Sequence, residues 1–318
     1  MKEKIKKLLF ESSRNSRITT KELGKKTRVS QQSASYLKNQ LKKKKLIHSS
    51  TIVDGVKLGF INILVGFNFI QTDSITKKEI IEEFKKTDEI IGIEEGKEGV
   101  DLLIEYSTLN LSAFNKIHSE IISKFNKKLK TTFVLPVIVN HEYQKNYLSR
   151  KFDNTDLILS GDRILRELTK KELKILNELV KFPDKKLIEI SDSLNIQIKS
   201  VMRIKRLLEK KFVIKGYSLF FDNLKLGIKR QAILLRFTSQ EMKQIDKFYL
   251  FTKNNKNIIQ FTKIIGEFQV LIIAESLKDL GIIKDIRANF PIEKYLIIKS
   301  EKIHKKQYLP NLENYFKL

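Results

Sequence analysis

Two stretches of the chain carry apolar residues at the spacing of short amphipathic helices. Near the start, Ile5, Leu8 and Leu9 recur at i, i+3 and i+4, which places them on one helix face. A second helix is expected around Leu23, and a third after Ser30, whose hydroxyl is suited to accept hydrogen bonds from first-turn amides. The third helix is expected to bury the stripe Ala34, Leu37, Leu41.

The same order of helices returns in the second half of the chain. Apolar pairs again mark two short helices, and a third helix again carries an apolar stripe; these residues are Leu173, Leu176, Ile190, Leu194, Val201, Ile204 and Leu208. Each third helix is followed by an extended segment, residues 46–53 and residues 213–221, which the pattern predicts to be a wing strand.

After each extended segment the apolar pattern changes to the shorter period of β-strands. In the first half it predicts strand 60–70, helix 76–87, strand 90–95, strand 100–106, helix 109–129 and strand 131–139. In the second half it predicts strand 229–238, helix 240–253, strand 258–265, strand 268–274, helix 277–289 and strand 292–303. The order βαββαβ is the split-βαβ, ferredoxin-like arrangement, in which one sheet face carries two helices. The other face is apolar here, so we expect it to need a partner sheet.

The two halves are copies of one module. Residues 54–59 (DGVKLG) match residues 222–227 (DNLKLG) at a separation of 168 positions, and the third-helix stripes match at a separation of 167. A period this long is typical of a duplicated two-domain module and not of a solenoid repeat.

Positive charge is concentrated at the start of the chain. The whole sequence has 62 Lys+Arg against 37 Asp+Glu, a formal net charge of +25. Residues 1–50 hold 15 basic and 3 acidic residues, whereas residues 61–145 hold 11 and 13. The uneven distribution predicts that the first 50 residues contact a polyanion. A lysine-rich solvated surface is the alternative.

Several classes of protein are excluded or disfavoured by composition. The chain has no cysteine, which excludes disulfides, thiolate nucleophiles and zinc fingers. Its four histidines show no paired spacing, so no metal site is expected. The longest apolar stretch, residues 59–70, is broken by Asn62 and Asn68 and is too short to span a membrane. We therefore expect a cytoplasmic protein with no membrane contact.

Three short helices with a wing, followed by a βαββαβ domain, resemble the Lrp/AsnC family of prokaryotic transcription regulators, and the resemblance occurs twice. Its most specific stretches are residues 213–227 and residues 264–273. The resemblance implies an α+β fold in which two winged helix-turn-helix domains alternate with two ferredoxin-like (Lrp/AsnC effector, ACT-like) domains. The expected boundaries are winged helix 1–54, effector domain 55–145, linker 146–165, winged helix 166–222, effector domain 223–306 and tail 307–318.

The resemblance also implies sequence-specific contact with double-stranded DNA through the third helix of each winged unit. Exposed polar side chains at the start of such a helix reach base edges in the major groove, and basic ones reach phosphates. In the first unit the expected contact residues are Lys25, Lys26, Arg28, Ser30, Gln31, Gln32, Ser35, Tyr36, Lys38 and Asn39. In the second unit they are Lys199, Ser200, Arg203, Lys205 and Arg206.

In this family the effector domains pair through their sheets and bind an amino acid or another small effector. The resemblance therefore implies an intramolecular pseudo-dimer or a homodimer, with a small-molecule site near Gly99, Asp101, Gly266 and Gln269. The effector-domain signature, a glycine three residues before an aspartate, is imperfect in both copies. Gln269 stands at the aspartate position of the second copy, and Glu98 at the glycine position of the first.

Two alternatives remain open. Fused pairs of these domains also occur in siroheme decarboxylases, which need His near Arg and Tyr to hold a tetrapyrrole. His141 and His304 end predicted strands, but neither has an Arg close in sequence. The other alternative is a non-specific architectural DNA-binding protein. Glu94 and Glu95 are expected at a solvated strand edge, and no set of catalytic residues is apparent. The sequence therefore favours a regulator that is not an enzyme and has no cofactor.

Overall fold

The computed structural model describes residues 1–162, 164–238 and 242–316, which form a mixed α+β fold built around a large antiparallel sheet. The helices are α1 (Glu3–Arg14), α2 (Thr20–Thr27), α3 (Gln31–Lys43), α4 (Ser74–Lys86), α5 (Leu111–Lys124), α6 (Lys170–Lys181), α7 (Leu187–Leu194), α8 (Ile198–Lys210), α9 (Asn223–Leu226), α10 (Met242–Lys253), α11 (Ile282–Asn289) and α12 (Glu313–Phe316). The strands are β1 (Ile47–Val53), β2 (Ile61–Phe69), β3 (Ile90–Glu98), β4 (Leu102–Thr108), β5 (Leu129–Tyr143), β6 (Asp156–Ser160), β7 (Ile214–Phe221), β8 (Lys229–Phe237), β9 (Ile258–Ile264), β10 (Val270–Ser276) and β11 (Ile292–Lys306). The predicted start of helix 240–253 lies outside the described residues.

The three helices of each half form where the apolar spacing predicts them. Ser30 begins α3, and its side chain accepts a hydrogen bond from the Ser33 amide, as expected of a helix cap. Ala34 is fully buried and packs in one cluster with Leu8 and Leu23. In the second half, α6, α7 and α8 bury the matching stripe of Val201, Ile204 and Leu208.

The extended segment after each third helix pairs with the segment from the other half. β1 and β7 run antiparallel, with Ile47 opposite Phe221 and Val53 opposite Ile214. We call this two-stranded sheet the ribbon. Its strands carry apolar residues for both three-helix clusters, since Ile47 packs with α1 and α3 and Ile52 packs with α6 and α8. The assignment of these units as winged helices stays a prediction.

The remaining strands close into a barrel. Their order is β2-β4-β3-β11-β8-β10-β9-β5, and β5 returns to pair with β2, so eight strands complete a ring. The closure depends on two long strands that cross between the halves: β5 pairs first with β2 and then with β9, and β11 pairs first with β8 and then with β3. The apolar inner faces of the two half-sheets, including Leu64, Leu234 and Leu271, therefore pack against each other.

Helices cover the outside of the barrel, as the split-βαβ pattern predicts. α4 and α5 pack on the first half-sheet around Phe84 and Phe114. α10 and α11 pack on the second around Phe248 and Ile286. In the described part of the chain, no helix has both the length and the hydropathy needed to cross a bilayer.

The segments predicted as a linker and a tail contain ordered parts of the fold. Within the expected linker 146–165, β6 adds to the edge of β5, with Val139 opposite Ser160. Within the expected tail 307–318, Tyr308, Leu309 and Leu312 are buried against α6 and the ribbon. Both segments are ordered by packing against surfaces that distant parts of the chain supply. The domain boundaries themselves stay a prediction.

Candidate functional site

A cavity of about 250 Å³ lies between the ribbon and the end of the barrel. Its walls come from both halves at corresponding positions, since Leu103 and Leu271, and likewise Ile52 and Phe220, stand 168 positions apart. The cavity therefore lies on the pseudo-twofold axis that relates the two halves. The end of α1 also contributes to the wall, through Ser13 and Arg14.

Charged side chains converge on this cavity from segments that are distant in sequence. Among the described lining residues, the basic side chains that border it are Arg14, Lys145, Lys215, Arg230 and Lys306. Lys305 also contributes to the wall, but its amine turns away and donates to backbone carbonyls at the end of α4. The carboxylates in the wall are Glu94, Glu105, Glu142 and Glu275. Charge this far from bulk water is costly unless it is paired and hydrogen-bonded.

Arg230 is the centre of the first group of charges. Its guanidinium donates to both carboxylate oxygens of Glu94 at 2.9 and 3.0 Å, and to Oε1 of Glu275 at 2.9 Å. The Lys145 amine and the Tyr147 hydroxyl each donate to Oε2 of Glu275 at 2.7 Å. Glu275 and Glu94 are only 1% and 8% exposed, so the expectation of a solvated strand edge at Glu94 was wrong.

The second group of charges lies where the crossing strands β5 and β11 meet the cavity. Glu142 stands opposite Gln260 in β9, and Lys306 stands opposite Gly92 in β3. Gly92 and Gln260 are themselves 168 positions apart, so Glu142 and Lys306 occupy corresponding positions of the two halves. Lys306 donates to Glu105 at 2.8 Å, and the Tyr308 hydroxyl donates to Glu142 at 2.7 Å.

The surroundings shift the acid–base behaviour of these groups in opposite directions. Burial alone would raise the pKa of Glu275, but Lys145, Arg230 and their hydrogen bonds outweigh it and lower that pKa to about 2. Burial raises the pKa of Glu142 above its ordinary value, and neither Lys306 nor the Tyr308 hydrogen bond reverses the shift. Burial lowers the pKa of Lys306, but Glu105 and Glu142 reverse this, and the net shift is upward.

The two halves of the cavity are not equivalent. Asn62 stands 168 positions before Arg230 and donates only one hydrogen bond, to Glu105 at 3.2 Å. Of these two corresponding positions, only Arg230 in the second half supplies a guanidinium group to the cavity.

Neither His141 nor His304 lines the cavity. His141 lies next to Glu142, and successive side chains of a strand point to opposite faces. Its Nδ1 atom lies 3.0 and 3.1 Å from the two oxygens of Asp156 on the other face. The Nε2 atom of His304 lies 2.7 Å from Glu95. Among the described residues, no cluster of three or more His, Cys, Asp or Glu side chains is arranged to hold a metal ion.

Most of the residues expected to contact DNA lie on exposed faces. In the first unit the exposed ones are Lys25, Lys26, Arg28, Ser30, Gln31, Gln32, Tyr36 and Asn39, and Ser35 is half-buried. Lys38 corrects the prediction: it is only 8% exposed and its amine donates to the Ser16 carbonyl at 2.8 Å, so it does not point toward a phosphate. The helical pattern missed this because a lysine has a long apolar stem that can cross a packed interface.

In the second unit the corresponding side chains lie on α8. Lys199, Arg203 and Arg206 are exposed, and Ser200 is half-buried. Lys205 donates to Glu209 at 2.6 Å and lies over the ring of Tyr217, beside the ribbon. Their roles toward DNA stay a prediction.

The residues expected to bind an effector form a matched structural pair. The Asp101 carboxylate accepts from the Phe69 amide at 2.8 Å, and the Gln269 side chain accepts from the Phe237 amide at 2.9 Å. Gly99 and Gly266 lie in the turns before Asp101 and Gln269, and both have positive φ. A Cβ atom would meet the Ile297 carbonyl at Gly99 and the Leu135 side chain at Gly266. All four lie away from the central cavity, and a role in effector binding stays a prediction.

The cavity residues were missed at the sequence level. Glu94, Glu142, Arg230, Glu275 and Lys306 lie in five different strands, and each alone resembles a surface charge. One available signal was Glu275, which directly follows the five apolar residues Val270–Ala274 of a strand. Because buried carboxylates are rare unless paired, this position indicates a buried partner.

No family model matches the sequence, and neither does any curated protein. Among solved structures, the siroheme decarboxylase NirDL in complex with an iron-uroporphyrin III analogue matches with a TM-score of 0.60 and 13% identity, covering 99% of this chain and 97% of that one. NirDL alone matches with a TM-score of 0.59, 14% identity and the same coverage. An AsnC family transcriptional regulator from Agrobacterium tumefaciens matches 47% of this chain, with a TM-score of 0.41 and 15% identity.

These comparisons correct the expectation that the protein is not an enzyme. Two structures that each match 99% of this chain are those of an enzyme. The absence of Arg close to His along the chain does not decide the question, because the charged residues of the cavity come from different strands and include neither His141 nor His304. Over its whole length, the chain has the fold of a siroheme decarboxylase.

Proposed function

We propose that this protein is an enzyme that binds a tetrapyrrole carrying several carboxylates in the central cavity and removes CO₂ from one of them. The observation that carries the proposal is the convergence of five basic side chains on one cavity of the pseudo-twofold axis. The whole-length likeness to siroheme decarboxylase NirDL supports it as an analogy of fold.

The charge of the cavity suits a polycarboxylate. Two of the five basic side chains also pair with carboxylates outside the wall, Arg14 with Asp153 at 2.9 Å and Lys215 with Asp54 at 3.9 Å. The raised pKa of Glu142 favours its neutral form, so an incoming carboxylate meets the basic groups of the wall without a further buried anion at this position. Replacing buried ion pairs by apolar packing is often neutral or stabilising, so a network of this size is better explained by ligand recognition than by stability.

The apolar part of the cavity suits the loss of CO₂. Leu64, Leu103 and Leu271 border the same space as the charged groups. A carboxylate held against such side chains is poorly solvated, whereas neutral CO₂ loses little by leaving water. The apolar surroundings therefore favour the conversion of the carboxylate to CO₂. In the reaction the C–C bond breaks, its electron pair stays on the substrate carbon, and that carbon takes up a proton. No oxidant or reductant is required.

A whole tetrapyrrole requires the cavity to widen. Ligand pockets for small molecules usually measure about 300–1,000 Å³, and this cavity of about 250 Å³ is below that range. The ribbon and α1 form the wall opposite the barrel, so their movement away from the barrel is the expected route of entry. Because neither His141 nor His304 lines the cavity, anchoring of carboxylates, and not histidine ligation of iron, is the expected source of binding energy.

The test is to add siroheme to the purified protein without oxygen, following absorbance for binding and mass spectrometry for loss of CO₂. Arg230→Lys keeps the positive charge but removes the guanidinium fork, and we expect it to weaken binding of iron-uroporphyrin III at least tenfold. The matched control is Arg236→Lys, at a partly exposed residue that pairs with Glu293 and does not line the cavity. Absence of any absorbance change with the unmodified protein would overturn the proposal.

A second candidate function is contact with duplex DNA through α3. The observation that favours it is a shallow surface groove at the start of this helix, bordered by Lys4, Arg28, Ser30, Gln32 and Tyr36 among others. Polar side chains there are suited to base edges, and the surrounding lysines to phosphates. Selection from random duplexes would test it: a defined site supports specific regulation, enrichment without a consensus supports an architectural role, and no retention at low salt excludes both.

A further inference from the structure

Glu142 differs from the other carboxyl groups of the cavity in what pairs with it. Glu94, Glu105 and Glu275 each accept a hydrogen bond from a basic side chain at 2.9 Å or less. Glu142 instead accepts from the neutral hydroxyl of Tyr308 at 2.7 Å, and no ion pair within 4.0 Å involves it in the described part of the chain. Of the four carboxyl groups in the cavity wall, Glu142 is therefore the one whose partners stabilise the ionised form least.

The surroundings of Glu142 suit a carboxylic acid. Burial raises its pKa, and nearby Glu105 adds to the shift. Tyr308 has a pKa well above its ordinary value because it is buried beside Glu142, so it keeps its proton and remains the donor. With one Glu142 oxygen engaged by Tyr308, the other oxygen is left to carry the acid proton at the cavity wall.

We propose that Glu142 is the catalytic acid of the decarboxylation, delivering its proton to the substrate carbon that loses CO₂. The inference rests on the proposed function. The substrate carboxylate leaves as CO₂, the electron pair of the broken C–C bond takes the proton from the Glu142 carboxyl group, and Glu142 becomes a carboxylate. A proton from solvent restores the acid before the next cycle, so atoms and charge balance without another reactant.

The position that corresponds to Glu142 in the other half holds a basic residue, Lys306. The ion pair of Lys306 with Glu105 at 2.8 Å favours the charged amine. A permanently charged amine is a poor proton donor but a good anchor for a carboxylate. The duplication thus places a proton donor and an anion anchor at equivalent positions around one cavity. Tyr308 is a positioning residue, because it acts on Glu142 and not on the substrate.

The experiment separates binding from turnover. Glu142→Gln keeps shape and hydrogen bonding but has no acid proton, so we expect iron-uroporphyrin III to bind within about threefold of the unmodified protein. Single-turnover loss of CO₂ from siroheme is expected to slow by about 100-fold or more. Glu142→Asp is expected to recover part of that rate. The matched control is Glu267→Gln, at an exposed glutamate that pairs with Lys294, and it is expected to leave the rate unchanged.

A pH profile adds a readout that a purely structural role would not move. Catalysis by an acid is lost as pH rises through the pKa of Glu142. The Tyr308 hydrogen bond lowers that pKa, so Tyr308→Phe is expected to shift the alkaline limb of the profile to higher pH. If Glu142→Gln fails to fold, the alkaline limb of the Tyr308→Phe profile tests the proposal. An alkaline limb at the same pH as in the unmodified protein overturns it.

The experiments distinguish an error in the role of Glu142 from an error in the proposed function. If the unmodified protein neither binds nor decarboxylates the tetrapyrrole, the proposed function is wrong. If it decarboxylates siroheme and Glu142→Gln does so within threefold of the same rate, the function stands and the acid is another group.

Discussion

At the scale of single residues, the cavity depends on a carboxylate that is kept ionised in a nearly closed space. Glu275 is 1% exposed and accepts hydrogen bonds from Lys145, Tyr147, Asn223 and Arg230. The pKa of Glu275 falls to about 2 from an ordinary value of 4.5. A carboxyl group whose pKa is lower in the folded state stabilises that state above the unfolded pKa, and loses the contribution as pH falls.

We predict that Glu275→Gln lowers the free energy of unfolding at pH 7 by about 3–5 kcal/mol, because it leaves Arg230 and Lys145 without their shared partner. The difference from the unmodified protein is expected to narrow as pH falls from about 4.5 toward 2, the interval over which Glu275 takes up a proton. Urea unfolding at pH 7 and pH 3 measures both. Glu267→Gln, at the exposed pair with Lys294, is the control and is expected to change stability by less than about 1 kcal/mol. Equal losses at both pH values would contradict the assignment.

At the scale of elements, the duplicated α-helical units and strands were predictable because each has a local signal. The stripe Ala34, Leu37, Leu41 predicts α3, and Ser30 caps it. Local periodicity predicts a strand but does not indicate which other strand it pairs with. The sequence predicts β1 and β7 only as extended wing strands, and nothing within either segment indicates that they pair with each other. The same holds for β5 and β11, whose second halves pair across the molecule.

Two lysines of the first three-helix unit, Lys25 in α2 and Lys38 in α3, test whether the exposure of a charge governs contact with DNA. We predict that Lys25→Ala weakens binding to all duplexes alike and lowers the salt slope by about one. Lys38→Met is expected to leave that slope unchanged, because the amine is engaged with the Ser16 carbonyl. Lys78→Ala, an exposed lysine on α4, is the control for a general change in charge. Fluorescence anisotropy over a range of salt concentrations measures the slopes, and equal effects of Lys25→Ala and Lys38→Met would contradict the structure.

The seam that closes the barrel between β2 and β5 has a tight steric requirement. A Cβ at Gly66 would lie 2.5 Å from the ring of Phe133, which packs across the seam. We predict that Gly66→Ala costs about 1–3 kcal/mol of unfolding free energy, because a filled core accepts no extra carbon at that distance. Phe133→Leu removes the obstructing ring edge. In that background, Gly66→Ala is expected to lower the unfolding free energy by less than it does in the unmodified protein. Chemical unfolding of the two single variants and the double variant gives the coupling, and simple additivity would contradict it.

At the scale of the whole molecule, the two halves supply each other with strands and surfaces that neither has alone. The ribbon takes one strand from each half, and β5 and β11 each extend from their own half-sheet onto the other. The need for a partner sheet was predictable from the apolar faces. The cavity was not, because its charged residues meet only after both halves have closed around the pseudo-twofold axis.

We predict that the halves do not fold independently but reassemble. Ile164 and Leu165 are 77% and 63% exposed, so a break between them disturbs little packing. Fragments 1–164 and 165–318, expressed together, are expected to purify as a one-to-one complex, and the intact chain is expected to be a monomer by light scattering. Expressed alone, each fragment exposes the apolar inner face of a half-sheet and the unpaired edge of a crossing strand, so we expect it to aggregate or to self-associate. A fragment that is monomeric alone and melts cooperatively near the temperature of the intact chain would show that the crossing strands are dispensable. In that case the cavity would be the interface of two independent domains, and its tetrapyrrole-binding role would have to be sought within one half.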